Sequence, residues 1–344
     1  MKNLNNKSNL FFAGVKDLRG RNSSESYGPN NWAVILAGGD GTRLLPLTRK
    51  LSGDDRPKQF CRVIGKSTLL DETRRRVALG ISPQNTMFVL TDKHKTYFTD
   101  ALADVPSENL VVQPQNAGTA PAILYSLMRL EMESPCASAA FFPSDHYFSS
   151  DQVFMAHVRT AFEITETKPE SIVLLGIEPE NPDEEYGWIE PDSTASKNNP
   201  LKFARVRRFW EKPAPDLANR LLLRGCLWNS FVMIGKVSAF LDLIRRSTTE
   251  LFETFGEIRS KLNTLQETEA VSHLYKKLPR DTNFSKDVLT VMAKNLTVIP
   301  VRGSKWSDLG SPRRVYSTLH RTGEISNIAQ AKAAAGSSFV GGNA

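Results

Sequence analysis

The run Val34-Ile35-Leu36-Ala37-Gly38-Gly39-Asp40-Gly41-Thr42-Arg43 constrains this chain more than any other. An apolar, strand-like stretch passes straight into three glycines within four positions. Such a backbone can turn tightly and bring its N–H groups against something bulky and anionic. A nucleotide's phosphate chain is the object that fits. Arg43 offers a planar fork, and Lys58, in the nearby Pro57-Lys58-Gln59-Phe60, a compact charge for the same phosphates. A short glycine motif can also be a mere turn. The ordered succession of strand, glycines, Thr-Arg and Pro-Lys argues against that here.

Two other phosphate motifs are excluded. Gly65-Lys66-Ser67-Thr68 looks like the end of a P-loop, but Phe60 stands where its first glycine belongs. The segment reads as a turn feeding a helix. Leu44 occupies the last glycine position of a dinucleotide-binding loop counted from Gly39, which disfavours a nicotinamide enzyme.

A chain of 344 residues, 40% hydrophobic, can bury a full core in one large or two modest domains. No run is long enough to span a membrane, and Met1 to Asn31 lacks a signal-peptide core, so a cytoplasmic location is expected. The three cysteines, Cys61, Cys136 and Cys226, lie far apart and read as reduced, mostly buried residues. A formal charge of +7 suits anionic small substrates. The basic residues are dispersed and form no nucleic-acid module. Arg74, Arg75 and Arg76 fall in a helix, where consecutive residues point in different directions, and at least two of them are expected in solvent.

Short β-branched runs alternate with helical patterns, the expectation for an α/β fold with helices on the sheet faces. The clearest strands are 33–37, 87–91, 110–113, 139–143, 172–176, 203–210, 228–234 and 296–301. Helices are expected at 69–79, 94–103, 120–133, 153–165, 215–224 and 238–246, with a less legible helical stretch over 250–277. The division expected is a disordered or loosely docked extension (1–31), one catalytic domain (32–312) and a short tail (313–344).

The opening loop resembles the entry motif of sugar-1-phosphate nucleotidylyltransferases, and Pro57-Lys58-Gln59-Phe60 points to the mannose-1-phosphate guanylyltransferase branch. The resemblance runs from about Trp32 to Pro312. It implies a Rossmann-like mixed, mainly parallel sheet flanked by helices, with Leu36, Ala37, Gly38, Gly39, Gly41 and Thr42 around the nucleotide.

Gln113-Pro114-Gln115-Asn116-Ala117-Gly118-Thr119 follows a strand and opens a helix, at the strand edge where α/β sheets bind ligands. It is similar to the family's second motif, which implies base contacts for Gln113 and Gly118, with Thr119 beside them; each residue also has an ordinary turn or capping use. Phe141-Phe142-Pro143-Ser144-Asp145-His146 ends an apolar strand with a carboxylate, which alone would suit a helix cap. Lys305-Trp306-Ser307-Asp308-Leu309-Gly310 is similar to a second acidic element of the family. The resemblance implies that Asp145 and Asp308 hold Mg2+, a cation that takes one or two carboxylates plus substrate phosphates. Asp308 on its own could equally organise a turn. His146 reads as a supporting residue.

Tyr186-Gly187-Trp188-Ile189, Phe209-Trp210-Glu211-Lys212-Pro213 and Trp228-Asn229-Ser230 fit the family's sugar-side motifs. They imply sugar-phosphate contacts from Tyr186, Gly187, Glu211, Lys212 and Asn229, and catalytic roles for Arg43, Lys58 and Lys212. The implied reaction joins GTP and a sugar 1-phosphate, most naturally mannose 1-phosphate, and releases pyrophosphate. UTP- or dTTP-dependent transfer to glucose 1-phosphate and a non-catalytic nucleotide-sugar-binding relative are the alternatives. Partners are expected to be these small molecules, with neither nucleic acid nor membrane, and a homodimer is left open.

Three departures stand out. The stretch Lys50–Arg56 is longer than the family spacing, Phe231 replaces the usual glycine after Asn229-Ser230, and Ser285-Lys286-Asp287 leads to Met292 where a glutamate is usual. With little chain after Gly310, no isomerase domain is expected to follow, and a single activity is the expectation.

Overall fold

The computed structural model describes residues 27–192, 203–279, 282–324 and 329. The extension expected over 1–31 therefore lies, up to residue 26, outside the described residues. In chain order the elements are β1 (Asn31–Leu36), α1 (Leu45–Ser52), α2 (Leu69–Val77), β2 (Thr86–Thr91), α3 (Lys95–Ala101), β3 (Leu110–Gln113), α4 (Thr119–Glu133), β4 (Ser138–Pro143), β5 (Tyr147–Phe148) and α5 (Asp151–Thr167). There follow β6 (Ile172–Ile177), β7 (Gly187–Pro191), β8 (Ala204–Glu211), α6 (Pro215–Leu223), β9 (Leu227–Lys236), α7 (Val237–Ser247), α8 (Thr249–Gly256), α9 (Glu267–Lys277), β10 (Leu296–Val301), β11 (Trp306–Ser307) and α10 (Pro312–Thr322).

Among the described residues, nine strands form one mixed sheet in the order β3-β2-β1-β4-β9-β6-β10-β8-β7. Strands β3, β2, β1 and β4 are parallel, while β9 runs against both β4 and β6, and β8 against β10 and β7. The sheet is the Rossmann-like mixed type expected, with β8 and β9 reversed relative to a strict Rossmann order. The period of two in each central strand feeds two cores. Trp32, Val34, Met87, Val89, Ala139 and Phe141 face one, beneath α4, α7, α8 and α9. Ala33, Ile35, Phe88, Leu90, Ala140 and Phe142 face the other, beneath α2, α3, α5 and α6. Strands covered on both sides read as continuous apolar runs, which is why β1, β2, β4 and β6 were visible in the sequence.

The chain leaves β1 toward β2 and β3 on one side and returns to β4 on the other, so the carboxyl ends of β1 and β4 flank a topological switch point. Ligands of open α/β sheets bind at such a crevice. The glycine loop and Asp145 both emerge there.

Several expectations need correction. The segment expected as a tail from 313 begins with α10, whose Val315 and Leu319 are fully buried in a third apolar cluster with Leu44, Leu47 and Leu309. Ser311 caps α10 and Pro312 sits in its first turn, where no N–H is needed. The stretch Lys50–Arg56 is partly helical, because α1 runs to Ser52 and stops at Gly53 in the left-handed conformation. The helical stretch 250–277 divides into α8 and α9. Strand β7 was missed, being short and pairing antiparallel with β8 and β9.

Cys61 and Cys226 are buried as expected, but Cys136 is exposed. Of the three arginines on α2, Arg76 is buried, with its guanidinium 2.6 Å from Asp151 and over the Phe148 ring. Arg74 pairs with Asp104, leaving only Arg75 in solvent beside Glu72. A buried guanidinium needs such a paired carboxylate, and Asp151, 75 residues on, could not be foreseen from local spacing. The false P-loop end is a turn, as expected: Gly65 is left-handed, and Thr68 forms a capping box with Asp71 at the start of α2.

Candidate active site

The switch-point crevice is a cleft of about 520 Å³. Leu36, Gly38, Gly39, Gln113, Gly118 and Thr119 line it on the β1–β3 side, and Asp145, His146 and Glu211 lie across from them. A larger cavity of about 810 Å³ beside α4 and α9 contains none of the expected site residues.

The glycine loop is held from below. Gln59 is buried and donates both amide hydrogens, to the carbonyls of Ala37 and Gly39, each at 2.9 Å. Thr91 donates to the Gly38 carbonyl at 2.9 Å. A Cβ at Gly38 would lie 2.8 Å from the Thr91 hydroxyl, so this position needs glycine for close packing. Gly41 needs it for its left-handed backbone, which turns the chain into Thr42 and Arg43. Asp40 is tied to Lys93 and to Nε2 of His94 on one side and to Asn116 on the other. Burial works against its charge, but the hydrogen bonds from Asn116 and Lys93 prevail and hold the carboxyl below its ordinary range.

Across the cleft the two distant acidic residues share Lys58 as a neighbour. The Ser144 N–H donates to the Leu36 carbonyl, fixing the Asp145 loop against the end of β1. Just beyond Asp145, β5 pairs with β11, Ser307 opposite Tyr147, and this two-stranded ribbon delivers Asp308 to the same place. Lys58 links the two segments: its Nζ lies 3.3 Å from Asp145 Oδ2 and donates to the main-chain carbonyl of Asp308 at 2.6 Å. Burial pushes His146 down to about 4, with Asp145 opposing, so the ring is neutral; its Nδ1 accepts from the Trp306 indole at 3.2 Å.

Asp308 is heavily engaged. Its carboxylate accepts from Tyr186 Oη at 3.2 Å, from the Gly310 N–H at 2.9 Å and from Arg314, closest at 3.0 Å. Burial disfavours its charge, yet the nearby Arg314 and Lys58 hold it in the ionised form. Arg314 also reaches Asp183 at 2.8 Å and lies over the Tyr186 ring.

The remaining expected residues fall into place unevenly. Arg43 is exposed and faces Glu185 at 3.5 Å, outside the cleft lining. Glu211 lines the cleft, and burial raises its carboxyl, with Lys212 opposing. Gly187 packs against it, since a Cβ there would lie 3.1 Å from Glu211 Oε2. Lys212 has a left-handed backbone. Gln113 uses its amide internally, accepting from Tyr275 at 3.1 Å and donating to the Leu90 carbonyl at 3.3 Å, which leaves one hydrogen for a ligand. Thr119 accepts from the Phe284 N–H at 2.8 Å. Asn229 is buried and turns its Oδ1 to the Phe231 N–H.

Nothing local in the sequence assigns a role to Gln59, Arg314, Asp183 or Tyr275, and of the segment 282–289 only Ser285-Lys286-Asp287 is marked, by resemblance. Gln59 lay inside a quoted motif, and its position after Lys58 was the available signal. Arg314 fell in the presumed tail and carried none.

The nucleotidyl transferase family model matches residues 32–323. The chain belongs to that family. This family member is 28% identical over 307 residues to mannose-1-phosphate guanylyltransferase 2 of Escherichia coli O157:H7, covering 85% of this chain and 61% of that protein. It is 30% identical over 224 residues to the alginate biosynthesis protein AlgA of Pseudomonas aeruginosa, covering 64% of this chain and 45% of that one. Thus the chain spans about half to three-fifths of the length of these relatives. A solved structure described as a mannose-1-phosphate geranyltransferase from Thermus thermophilus superposes with a TM-score of 0.71 at 25% identity, covering 84% of this chain and 79% of that one.

The donor set bears on which metal this nucleotidyl transferase suits. Among the described residues no three His, Cys, Asp or Glu side chains are grouped to hold an ion. Asp145 lines the cleft, whereas the Asp308 carboxylate lies outside its lining and is held by Arg314, Tyr186 and the Gly310 N–H. Two carboxylates do not make a closed zinc site; such a set suits magnesium, which completes its shell with substrate phosphates and water.

Proposed function

We propose that this protein transfers a nucleotidyl group from GTP to a sugar 1-phosphate, with mannose 1-phosphate the expected acceptor, and releases pyrophosphate. The convergence of Asp145, Asp308 and Lys58 beside the glycine loop carries this reading. Similarity to proteins named mannose-1-phosphate guanylyltransferase supports guanine and mannose.

An oxygen of the sugar phosphate attacks the α-phosphorus in line, the bond from that phosphorus to the bridging oxygen breaks, and pyrophosphate leaves with the electron pair. A phosphate monoester is already ionised near neutrality, so no strong base is required. Alignment and charge neutralisation then supply most of the rate. The N–H groups of the loop from Gly38 to Thr42 hold the departing phosphates. Arg43 joins them by leaving Glu185, an exposed pair worth about 1 kcal/mol or less. Gln113 and the Gly118 backbone face the base, with Leu36, Ala37 and Thr119 shaping that end. On the acceptor side Glu211 and Tyr186 face sugar hydroxyls, Gly187 and Asn229 shape the wall, and Lys212 orients the attacking phosphate.

Asp145 and Asp308 would hold Mg2+, whose chemistry is to polarise the α-phosphate and offset repulsion between two anions. Lys58 keeps the two acids together and adds positive charge where the pyrophosphate forms. Pyrophosphate release measured for four nucleoside triphosphates against mannose, glucose and galactose 1-phosphates tests the assignment. Within this panel GTP with mannose 1-phosphate should give the highest kcat/KM; a tenfold preference for UTP or dTTP with glucose 1-phosphate would overturn the specificity, and silence in every combination the transferase reading itself.

A further inference from the structure

Phe231 occupies the one stretch of β9 that leaves the sheet. Leu174 pairs with Met233 and Gly176 with Asn229, so two residues of β6 span the same length as four of β9. The two extra residues bulge out of the ladder. Phe231 sits in the bulge with φ at 59°, a conformation that an aromatic residue rarely adopts and that glycine adopts freely. Ser230 anchors the bulge by donating to the Leu175 carbonyl at 2.6 Å and accepting from the Val232 N–H.

Strain of this kind persists only where surrounding contacts enforce it, and it gathers at functional sites. Phe231 lines the cleft, together with Glu211, Asn283 and Ser285. Buried Phe284 packs edge-on behind it, ring centres 6.4 Å apart. Meanwhile Asn229 Oδ1 accepts from the Phe231 N–H at 3.1 Å. The end of the cleft beside Glu211, the acceptor side in the proposed reading, thus has an apolar wall. A sugar hydroxyl pressed against that wall would give up water without a partner, whereas a C–H edge would be buried favourably.

We infer that Phe231 sets acceptor choice, favouring a sugar 1-phosphate that lacks a hydroxyl on the ring edge facing it, that is, a deoxy sugar 1-phosphate. This rests on the transferase reading of the same cleft. The test measures kcat/KM by pyrophosphate release, with GTP and magnesium, for mannose 1-phosphate and its 2-, 4- and 6-deoxy analogues. The wild-type protein is compared with Phe231→Gly and with Phe231→Asn, which also tolerates the left-handed backbone.

At least one analogue should exceed mannose 1-phosphate by about tenfold in the wild type, the scale on which an apolar pocket separates such pairs. In both variants that advantage should shrink to within twofold, while thermal unfolding shows them folded. An advantage that survives both substitutions, or a wild type that uses no analogue better than mannose 1-phosphate, overturns the role of Phe231 and leaves the transferase reading intact. A wild type that releases no pyrophosphate with any acceptor, and none across the wider triphosphate panel, removes both.

Discussion

Gly118→Ala isolates the backbone geometry that joins the second loop to the segment 282–289. Gly118 has φ at 97°, outside the range that an alanine adopts without strain. Its added Cβ would lie 2.7 Å from the Thr282 nitrogen and 2.9 Å from its carbonyl carbon, closer still to the oxygen. These are backbone atoms and cannot swing aside. Relief requires moving Thr282, which donates to the Ala117 carbonyl at 3.2 Å and accepts from the Ala120 N–H at 3.0 Å. The backbone strain costs about 1–3 kcal/mol, and weakening two hydrogen bonds adds about 1 kcal/mol each. A total of about 3–5 kcal/mol follows, read as a lower urea midpoint at unchanged m-value. Gly39→Ala is the control. Its Cβ would meet nothing within 4 Å, so stability should change by less than about 0.5 kcal/mol, while triphosphate affinity measured by calorimetry falls at least tenfold because the methyl enters the space assigned to phosphate. A Gly118→Ala protein destabilised by less than about 1 kcal/mol, or a Gly39→Ala protein that binds GTP normally, would refute the reasoning.

Arg314→Leu leaves Asp308 and Asp183 without their shared cation; chemical unfolding should show a loss of about 3–5 kcal/mol, the scale for breaking a buried pair, and the magnesium concentration for half-maximal rate should change. Thr68→Ala removes one half of the α2 capping box, so the denaturation midpoint should drop by about 1 kcal/mol with kcat/KM unaltered. His157 donates from Nδ1 to the Val153 carbonyl and accepts the Arg302 N–H at Nε2, and burial lowers its pKa below the ordinary 6.5. The unfolded chain therefore takes up the proton first: the stability due to neutral His157 is complete above pH 6.5 and is lost as pH falls toward the folded pKa. His157→Gln should flatten the fall in melting temperature between about pH 7 and pH 5.

The legible parts of this molecule were those fixed by local chemistry. Strands β1, β2, β4 and β6 are apolar on both faces, and the loops at Gly38 and Gly118 announce themselves by glycine and polar residues after a strand. What escaped was set by distance. Arg76 is buried because Asp151 meets it across two helices, and Arg314 matters because β11 delivers Asp308 beside it. Helix α10 was overlooked since its apolar residues, Val315 and Leu319, are few and find their partners in Leu44 and Leu47 near the other end of the chain. The resemblance implies a base contact for Gln113; its bond from Tyr275, 162 residues away, has no local signal. Asp145 and Asp308 are paired in the sequence by resemblance alone; the β5–β11 ribbon is what brings the segment of Asp308 back to that of Asp145.

Mn2+ binding followed by electron paramagnetic resonance, with GTP present, addresses that pair most directly. One ion per chain should bind to the wild-type protein, and both Asp145→Asn and Asp308→Asn should weaken it at least tenfold and abolish pyrophosphate release while remaining folded. Undiminished Mn2+ affinity together with near-normal turnover in Asp145→Asn would contradict the account.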